Sequence, residues 1–198
     1  ENYDFVCPLG PEQLRYAASV GASKCVLLPI DGADWDPQRT ASALATAIAG
    51  VEAANGPFDL ILFGNESADS GNFQVGVRVA HALGRPIVNG VKGIEVDGDA
   101  VRARREADAG VEVYRLPLPA VLGIKEGINL PRYPTMKGRL AAKKAEVAQV
   151  APEGEPGGQQ MVTLVQPPVT VTETVILGHG PDAAPAVVDL LEELGLLK

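Results

Sequence analysis

The strongest candidate for chemistry in this sequence is a polar, glycine-containing segment that follows the apolar run from Leu60 to Phe63. Its members are Gly64, Asn65, Glu66, Ser67, Ala68, Asp69, Ser70, Gly71, Asn72, Phe73, Gln74 and Val75. Glycines let a backbone approach a ligand closely, and free N–H groups at the start of a following helix favour a phosphate. The segment therefore predicts a nucleotide-phosphate site. A plain strand-to-helix turn with a Ser or Asx cap explains the same residues, which match neither Gly-x-Gly-x-x-Gly nor the Walker pattern.

The elements that must position this segment alternate between short β-type runs and helical patterns. Residues 37–54 form the clearest helix, because Leu44, Ile48 and Val51 recur at helical spacing. Further strands are predicted at residues 5–9, 24–29 and 59–63, and further helices at residues 11–20 and 72–83. This alternation predicts an α/β fold, namely a Rossmann-like open, mainly parallel sheet with helices on both faces.

After Gly84 the pattern changes to short strands separated by turns, at residues 86–88, 93–96, 101–106, 111–116 and 120–124. Asp97-Gly98 between extended flanks is a hairpin signal, so this portion is predicted to be antiparallel in part. A basic, Ala-rich helical pattern covers residues 137–150, and prolines and glycines break the chain at residues 151–160. We interpret residues 1–150 as a nucleotide-binding α/β domain and residues 151–198 as an extended C-terminal arm that ends in a helix at about residues 182–197.

Charge and composition exclude several function classes. The net charge of −8 over 198 residues gives no general attraction for nucleic acid, and no apolar stretch approaches the ~20 residues that cross a bilayer. Two cysteines, Cys7 and Cys25, give no disulfide framework and suit a reducing cytoplasm. Asp31, Asp34 and Asp36 lack calcium-loop spacing and precede a helix, so capping explains them and no metal site is expected. The sequence also offers no set of side chains for nucleophilic catalysis.

Four stretches, taken in order, resemble the electron-transfer flavoprotein β-subunit family. They are residues 10–22, 64–76, 101–121 and 129–144. The second includes the candidate nucleotide segment, and the fourth contains the Asn-x-Pro-Arg-Tyr pattern followed by a basic helix. The family's first strand and long connection have no counterpart in these residues, so we expect that part of the pocket to lie outside them. The resemblance implies an adenine nucleotide α-hydrolase-like fold.

The resemblance also implies a function. Such a β subunit holds AMP or a second FAD and works with an α subunit that carries the redox-active FAD, without catalytic residues of its own. It accepts electrons from flavin dehydrogenases such as acyl-CoA dehydrogenases and passes them to an acceptor. Carried onto this sequence, the nucleotide site comprises Leu9 and the segment from Gly64 to Val75. The partner-docking loop comprises Arg132, Tyr133, Pro134, Thr135 and Met136, and Arg105 and Glu106 lie near the subunit interface and the flavin.

Other interpretations of these residues stay open. If Met136 does not contact a partner protein, it is a buried residue of the core. If Arg105 and Glu106 lie away from an interface, they are a solvated charge pair. A stand-alone adenine-nucleotide-binding protein of the universal-stress type shares the architecture, and a nucleotide α-hydrolase enzyme is a third possibility. The phosphate patterns that both of these classes use are absent from the sequence.

Overall fold

A computed structural model describes residues 4–7, 10–30, 35–67, 70–154, 157–160, 162–169 and 174–197. For residues 4–7 it describes the backbone only. Leu9, Ala68 and Asp69 of the predicted nucleotide site, and Asp31 and Asp34, lie outside the described residues. The chain divides into two compact units, Glu1–Met161 and Val162–Lys198.

The first unit contains eight strands and four helices among its described residues. The strands are β1 (Asp4–Cys7), β2 (Lys24–Leu27), β3 (Leu60–Gly64), β4 (Ile87–Asp97), β5 (Ala100–Ala107), β6 (Gly110–Pro117), β7 (Ala120–Ile124) and β8 (Val147–Gln149). The helices are α1 (Pro11–Ser19), α2 (Pro37–Asn55), α3 (Val75–Ala82) and α4 (Met136–Lys144). The second unit contains a 3₁₀ turn (Gly180–Ala183) that continues into α5 (Ala184–Glu193).

The strands form two open sheets. One has the order β1-β2-β8 and is parallel throughout. The other has the order β3-β7-β4-β5-β6, in which β3, β7 and β4 are parallel and β4, β5 and β6 are antiparallel. The mixed α/β architecture with open, mainly parallel sheets is therefore confirmed, and so is an antiparallel portion.

Helices cover both faces of β2, because successive side chains of a strand point to opposite sides. Val26 and Leu28 pack into a cluster with the α2 residues Leu44 and Ile48. Cys25 and Leu27 instead pack against Leu14 of α1. A third cluster is formed by the second sheet itself, around the fully buried Val91, Val101 and Leu122. These apolar contacts fix the sheets that carry the candidate site.

Two helix predictions were wrong in extent. The helix predicted at residues 72–83 begins at Val75, because Phe73 has a φ of 54° and cannot belong to a right-handed helix. The helix predicted at residues 137–150 ends at Lys144, and the chain then forms β8, which pairs with β2. The residues after Lys144 form a strand because Val147 pairs with Cys25. That partner lies more than 100 residues earlier in the sequence, so local periodicity does not reveal it.

The remaining differences also have local causes. The two strands predicted at residues 86–88 and 93–96 are one strand, β4, which passes through a bulge and through Gly90 at a φ of 73°. The terminal helix, predicted at residues 182–197, is α-helical only over α5. Gly195, at a φ of 69°, ends it as glycine commonly ends helices.

Candidate functional site

The candidate nucleotide segment leaves β3 at the carboxyl end of the parallel strands. Phe63 lies beside Gly123 of β7, and Gly64 lies beside Ile124. A Cβ on Gly76, in the first turn of α3, would be 3.2 Å from the Phe63 ring, so this helix turn sits directly on β3. Asn89 of β4 extends its carboxamide over Gly123, where a Cβ would be 2.2 Å from Asn89 Oδ1. The segment thus occupies the part of the sheet where α/β proteins bind ligands.

The described residues of the segment are mostly exposed and are held by local hydrogen bonds. Ser67 and Ser70 share a hydrogen bond of 2.6 Å between their hydroxyls, and the Gly71 N–H donates to the Ser67 carbonyl at 3.0 Å. Gly71 has a φ of 55°, in the left-handed region that favours glycine. Phe73 takes the same region although its side chain is bulky, and half of its surface is exposed. Such a residue marks a strained loop, and strain of this kind concentrates at functional sites.

The start of α3 is suited to an anion. Gln74 occupies the N-cap position without accepting a hydrogen bond from the helix N–H groups. Its Oε1 instead accepts from Arg78 Nε at 3.2 Å and from Nη2 at 3.0 Å. Among the described residues, no side chain caps the first N–H groups of α3, and the Arg78 guanidinium adds positive charge one turn further on. These groups fit a nucleotide phosphate, and the exposed hydroxyls of Ser67 and Ser70 add polar contacts.

A single row of paired residues crosses the second sheet from this loop. It comprises Gly64, Ile124, Val91, Arg105 and Glu112, one residue from each strand. Neighbouring strands lie about 4.8 Å apart, so Gly64 and Arg105 are separated by roughly 15 Å along the row. The structure therefore brings the predicted nucleotide loop and Arg105 to the same end of one sheet.

Arg105 and Glu106 have different partners. Arg105 Nε donates to Glu112 Oε2 at 2.5 Å, whereas Glu106 forms an ion pair with Lys92 at 3.2 Å. They are adjacent residues of one strand, so their side chains project from opposite faces of the sheet. Only one of them can face a given partner surface through this part of the sheet.

Glu112 and Tyr114 complete a polar cluster around Arg105. The Tyr114 hydroxyl donates to Glu112 Oε2 at 2.8 Å, and the Arg105 guanidinium lies 5.2 Å from the Tyr114 ring centroid. The hydrogen bond from Tyr114 and that from Arg105 lower the pKa of Glu112, while the Glu112 carboxylate and burial raise the pKa of Tyr114. Residue types alone did not predict this cluster. The short turn at Asp108-Ala109 was the available signal, because it sets Ala107 opposite Gly110 and so Arg105 opposite Glu112.

The predicted docking loop is anchored at its end and exposed at its tip. Thr135 caps α4 by accepting from the Gly138 N–H at 3.1 Å. A Cβ on Gly138 would be 2.3 Å from the Ser19 carbonyl oxygen, so α4 packs closely on the end of α1. Arg132 is exposed, Pro134 is partly buried, and Tyr133 and Met136 are 83% and 73% exposed. Met136 is therefore an exposed apolar residue, and the alternative that it fills the core is wrong.

The remaining polar residues have structural roles. Asp36 caps α2 by accepting from the N–H groups of Gln38 and Arg39 at 2.8 and 3.0 Å, which confirms the predicted cap. The described part of the chain contains no group of three His, Cys, Asp or Glu residues that could hold a metal ion. A groove between α2 and α3 is lined by small α2 residues such as Ala45 and contains no residue of the predicted sites. Within the described ranges, no helix is long and apolar enough to span a membrane.

Comparison with known proteins gives consistent matches. The family model described as "Electron transfer flavoprotein domain" matches residues 6–154. A protein of Syntrophomonas wolfei named "Electron transfer flavoprotein subunit beta" is 41% identical over 140 residues, which are 71% of this chain and 53% of that protein. Proteins of the same name from Mycobacterium tuberculosis and Mycobacterium leprae are 38% and 40% identical over 147 residues, 72% of this chain and 54% of each relative. The chain spans about half the length of the curated relatives it matches.

Proposed function

The chain belongs to the electron transfer flavoprotein β-subunit family, and from this premise we propose that it is a nucleotide-binding electron-transfer subunit that acts together with a flavin-bearing α subunit. It has no catalytic residues of its own in this proposal. Electrons pass from flavin dehydrogenases such as acyl-CoA dehydrogenases through the assembled flavoprotein to an acceptor. The proposal rests on the loop between β3 and α3 at the carboxyl end of the parallel strands. In this loop Phe73 has a strained backbone, and no side chain of the described residues caps the first N–H groups of α3.

The loop binds the phosphate of AMP or of a second FAD through the first N–H groups of α3. Arg78 supplies positive charge beside the phosphate, and the Ser67 and Ser70 hydroxyls supply further hydrogen bonds. The half-exposed ring of Phe73 offers a flat apolar surface to the adenine base. Leu9 and Asp69 complete the proposed site. Bound adenylate thereby stabilises one conformation of the loop. Because Gly64 belongs both to the loop and to the row of paired residues, binding also stabilises the end of the row that leads to Arg105.

The antiparallel end of the second sheet is the proposed surface toward the flavin-bearing subunit. Arg105 contacts Glu112 and lies over the Tyr114 ring, and these two contacts orient its guanidinium. Its side chain keeps 38% of its surface exposed, which leaves room for a contact with a neighbour. A positioned cation of this kind stabilises an anionic group that approaches it. Glu106 projects from the other face of the sheet, so it contacts the partner only if the partner covers both faces.

The C-terminal unit is proposed to pack on the α subunit. No residue of α5 is buried, and the apolar side chains of the helix and its C-cap, Val187, Val188, Leu190 and Leu194, are 38–62% exposed. The described residues between 162 and 169 form no strand, although Val162, Leu164 and Val165 are apolar and exposed. An exposed apolar surface of this extent is typical of a protein interface.

Co-purification tests the proposed function. The full-length chain, expressed with its flavin-bearing partner, is expected to purify as a yellow heterodimer that releases one adenine nucleotide per β chain on denaturation, in addition to the redox-active FAD. Chromatography of the extract distinguishes AMP from a second FAD. A homodimer with ATP and no flavin-bearing partner, or a colourless monomer that hydrolyses ATP, contradicts the proposal.

Met136 is expected to be a main apolar contact of the dehydrogenase. Replacing it by alanine removes an exposed, flexible side chain at the junction of the docking loop and α4, and is expected to raise the KM of a dehydrogenase for the flavoprotein about tenfold, as loss of an interface anchor does. Subunit assembly and bound nucleotide stay unchanged. Leu140→Ala is the matched control, because Leu140 is also exposed on α4 but lies outside the loop. An equal KM for both variants contradicts a docking role.

A further inference from the structure

The chain segment that follows β8 is fastened across the start of α2. We call Val150–Gly154 together with Gly157 the strap. The Val150 N–H donates to the Leu27 carbonyl at 3.0 Å, so the strap begins as a continuation of the pairing between β8 and β2. Pro152 then lines a small apolar cavity with Leu28 and Trp35. The strap therefore belongs to the packed part of the first unit, although its prolines and glycines suggest a linker.

Two glycines bring the strap into contact with the α2 backbone. A Cβ on Gly154 would lie 2.6 Å from the Arg39 carbonyl oxygen and 3.2 Å from the Ala43 nitrogen. A Cβ on Gly157 would lie 2.2 Å from Asp36 Oδ1. Both distances are far below van der Waals contact and one neighbour is rigid backbone, so neither position accepts a larger residue without releasing the strap.

Asp36 joins the strap to the helix. Its Oδ1 accepts from the N–H groups of Gln38 and Arg39, and its Oδ2 accepts from the Gly157 N–H at 2.7 Å. The Arg39 N–H, with those of Gly157 and Gln38, lowers the pKa of Asp36, so the carboxylate stays ionised and keeps all three acceptor contacts at neutral pH. The capping residue of α2 is thus also the last fixed point of the strap.

We infer that the strap shortens the tether of the C-terminal arm and thereby strengthens assembly with the flavin-bearing subunit. This inference rests on the proposed function. Val162, where the second unit begins, lies five positions after Gly157 and twelve positions after Val150. Extended chain spans at most about 3.5 Å per residue, so the tether reaches about 17 Å with the strap fastened and about 42 Å with it released. Effective concentration falls roughly with the −3/2 power of tether length, which amounts to about a fourfold loss on release.

A graded set of variants in the full-length heterodimer tests the inference. Gly157→Ala moves the last contact back to Gly154 and is expected to raise the dissociation constant of the two subunits about twofold. Gly154→Ala with Gly157→Ala moves it back to Val150 and is expected to raise the constant about fourfold. Gly158→Ala is the control, because a Cβ at Gly158 meets no described residue within 4 Å, and no change is expected.

Two further measurements separate the tether from other causes. Asp36→Asn keeps an N-cap residue of similar quality but removes an acceptor for the Gly157 N–H, and it is expected to match Gly157→Ala. Deleting residues 162–198 is expected to weaken assembly more than any strap variant and to make the strap variants equal to one another. If the strap variants match Gly158→Ala while the deletion weakens assembly, the inference fails and the proposed function stands. If no flavin-bearing subunit binds the intact chain, the proposed function fails as well.

Discussion

Replacing Glu52 by alanine is expected to lower the free energy of unfolding by about 3–5 kcal/mol, the cost of breaking a buried ion pair. Glu52 Oε1 accepts from Arg85 Nη2 at 2.6 Å and from the Phe58 N–H at 2.9 Å. Only 8% of the Arg85 side chain and 14% of the Glu52 side chain are exposed. The substitution leaves a buried guanidinium without its counter-ion, and Arg85 Nη1 already has no hydrogen-bond partner among the described residues. Urea denaturation followed by circular dichroism measures the change.

Two controls test this explanation. Asp97→Ala breaks the 3.0 Å pair with Arg102 and the 3.6 Å pair with Arg115, in which all three side chains are more than 40% exposed, and is expected to cost far less than Glu52→Ala. Glu52→Leu combined with Arg85→Met removes both charges and is expected to recover most of the loss. A loss for Glu52→Ala as small as that for Asp97→Ala contradicts a stabilising role for the pair.

The second large effect is expected in the nucleotide loop. Gly71→Ala places a side chain at a φ of 55°, which costs about 1–2 kcal/mol in the left-handed region. The loop relieves this strain by changing conformation, which breaks the hydrogen bond from the Gly71 N–H to the Ser67 carbonyl and the one between the Ser67 and Ser70 hydroxyls. We expect the purified heterodimer to bind its adenine nucleotide about tenfold more weakly, as measured by nucleotide content after dialysis and by titration.

Gly98→Ala is a matched control for this change. Gly98 lies in the hairpin turn between β4 and β5 at a φ of 61°, and a Cβ there meets nothing within 4 Å in the part of the chain that the structure describes. The two substitutions therefore impose similar backbone strain in similarly open surroundings. Gly98→Ala is expected to lose comparable thermal stability but to retain its nucleotide. Equal retention by the two variants argues against the loop as the nucleotide site.

Local sequence rules were sufficient for the elements whose signals lie within a few residues. The Ala-rich periodicity of residues 37–54 and the Asp36 cap predicted α2 almost to its ends, because helix spacing and capping depend on neighbours three or four residues away. Asp97-Gly98 likewise marked the turn between β4 and β5. The type and order of residues 64–76 identified a loop at a strand end, and the resemblance identified the family that the comparisons support.

Only the tertiary structure decided how distant parts of the chain meet. The row that links Gly64 to Arg105 depends on the pairing of four strands, and β8 forms because β2, more than 100 residues earlier, offers it an edge. The strap depends in the same way on Gly157 reaching Asp36. Sequence determined the local conformations and the family, since these follow from adjacent residues. Strand pairing and packing decided which side chains share a surface, because those contacts join residues that are distant in the sequence and that local patterns cannot identify.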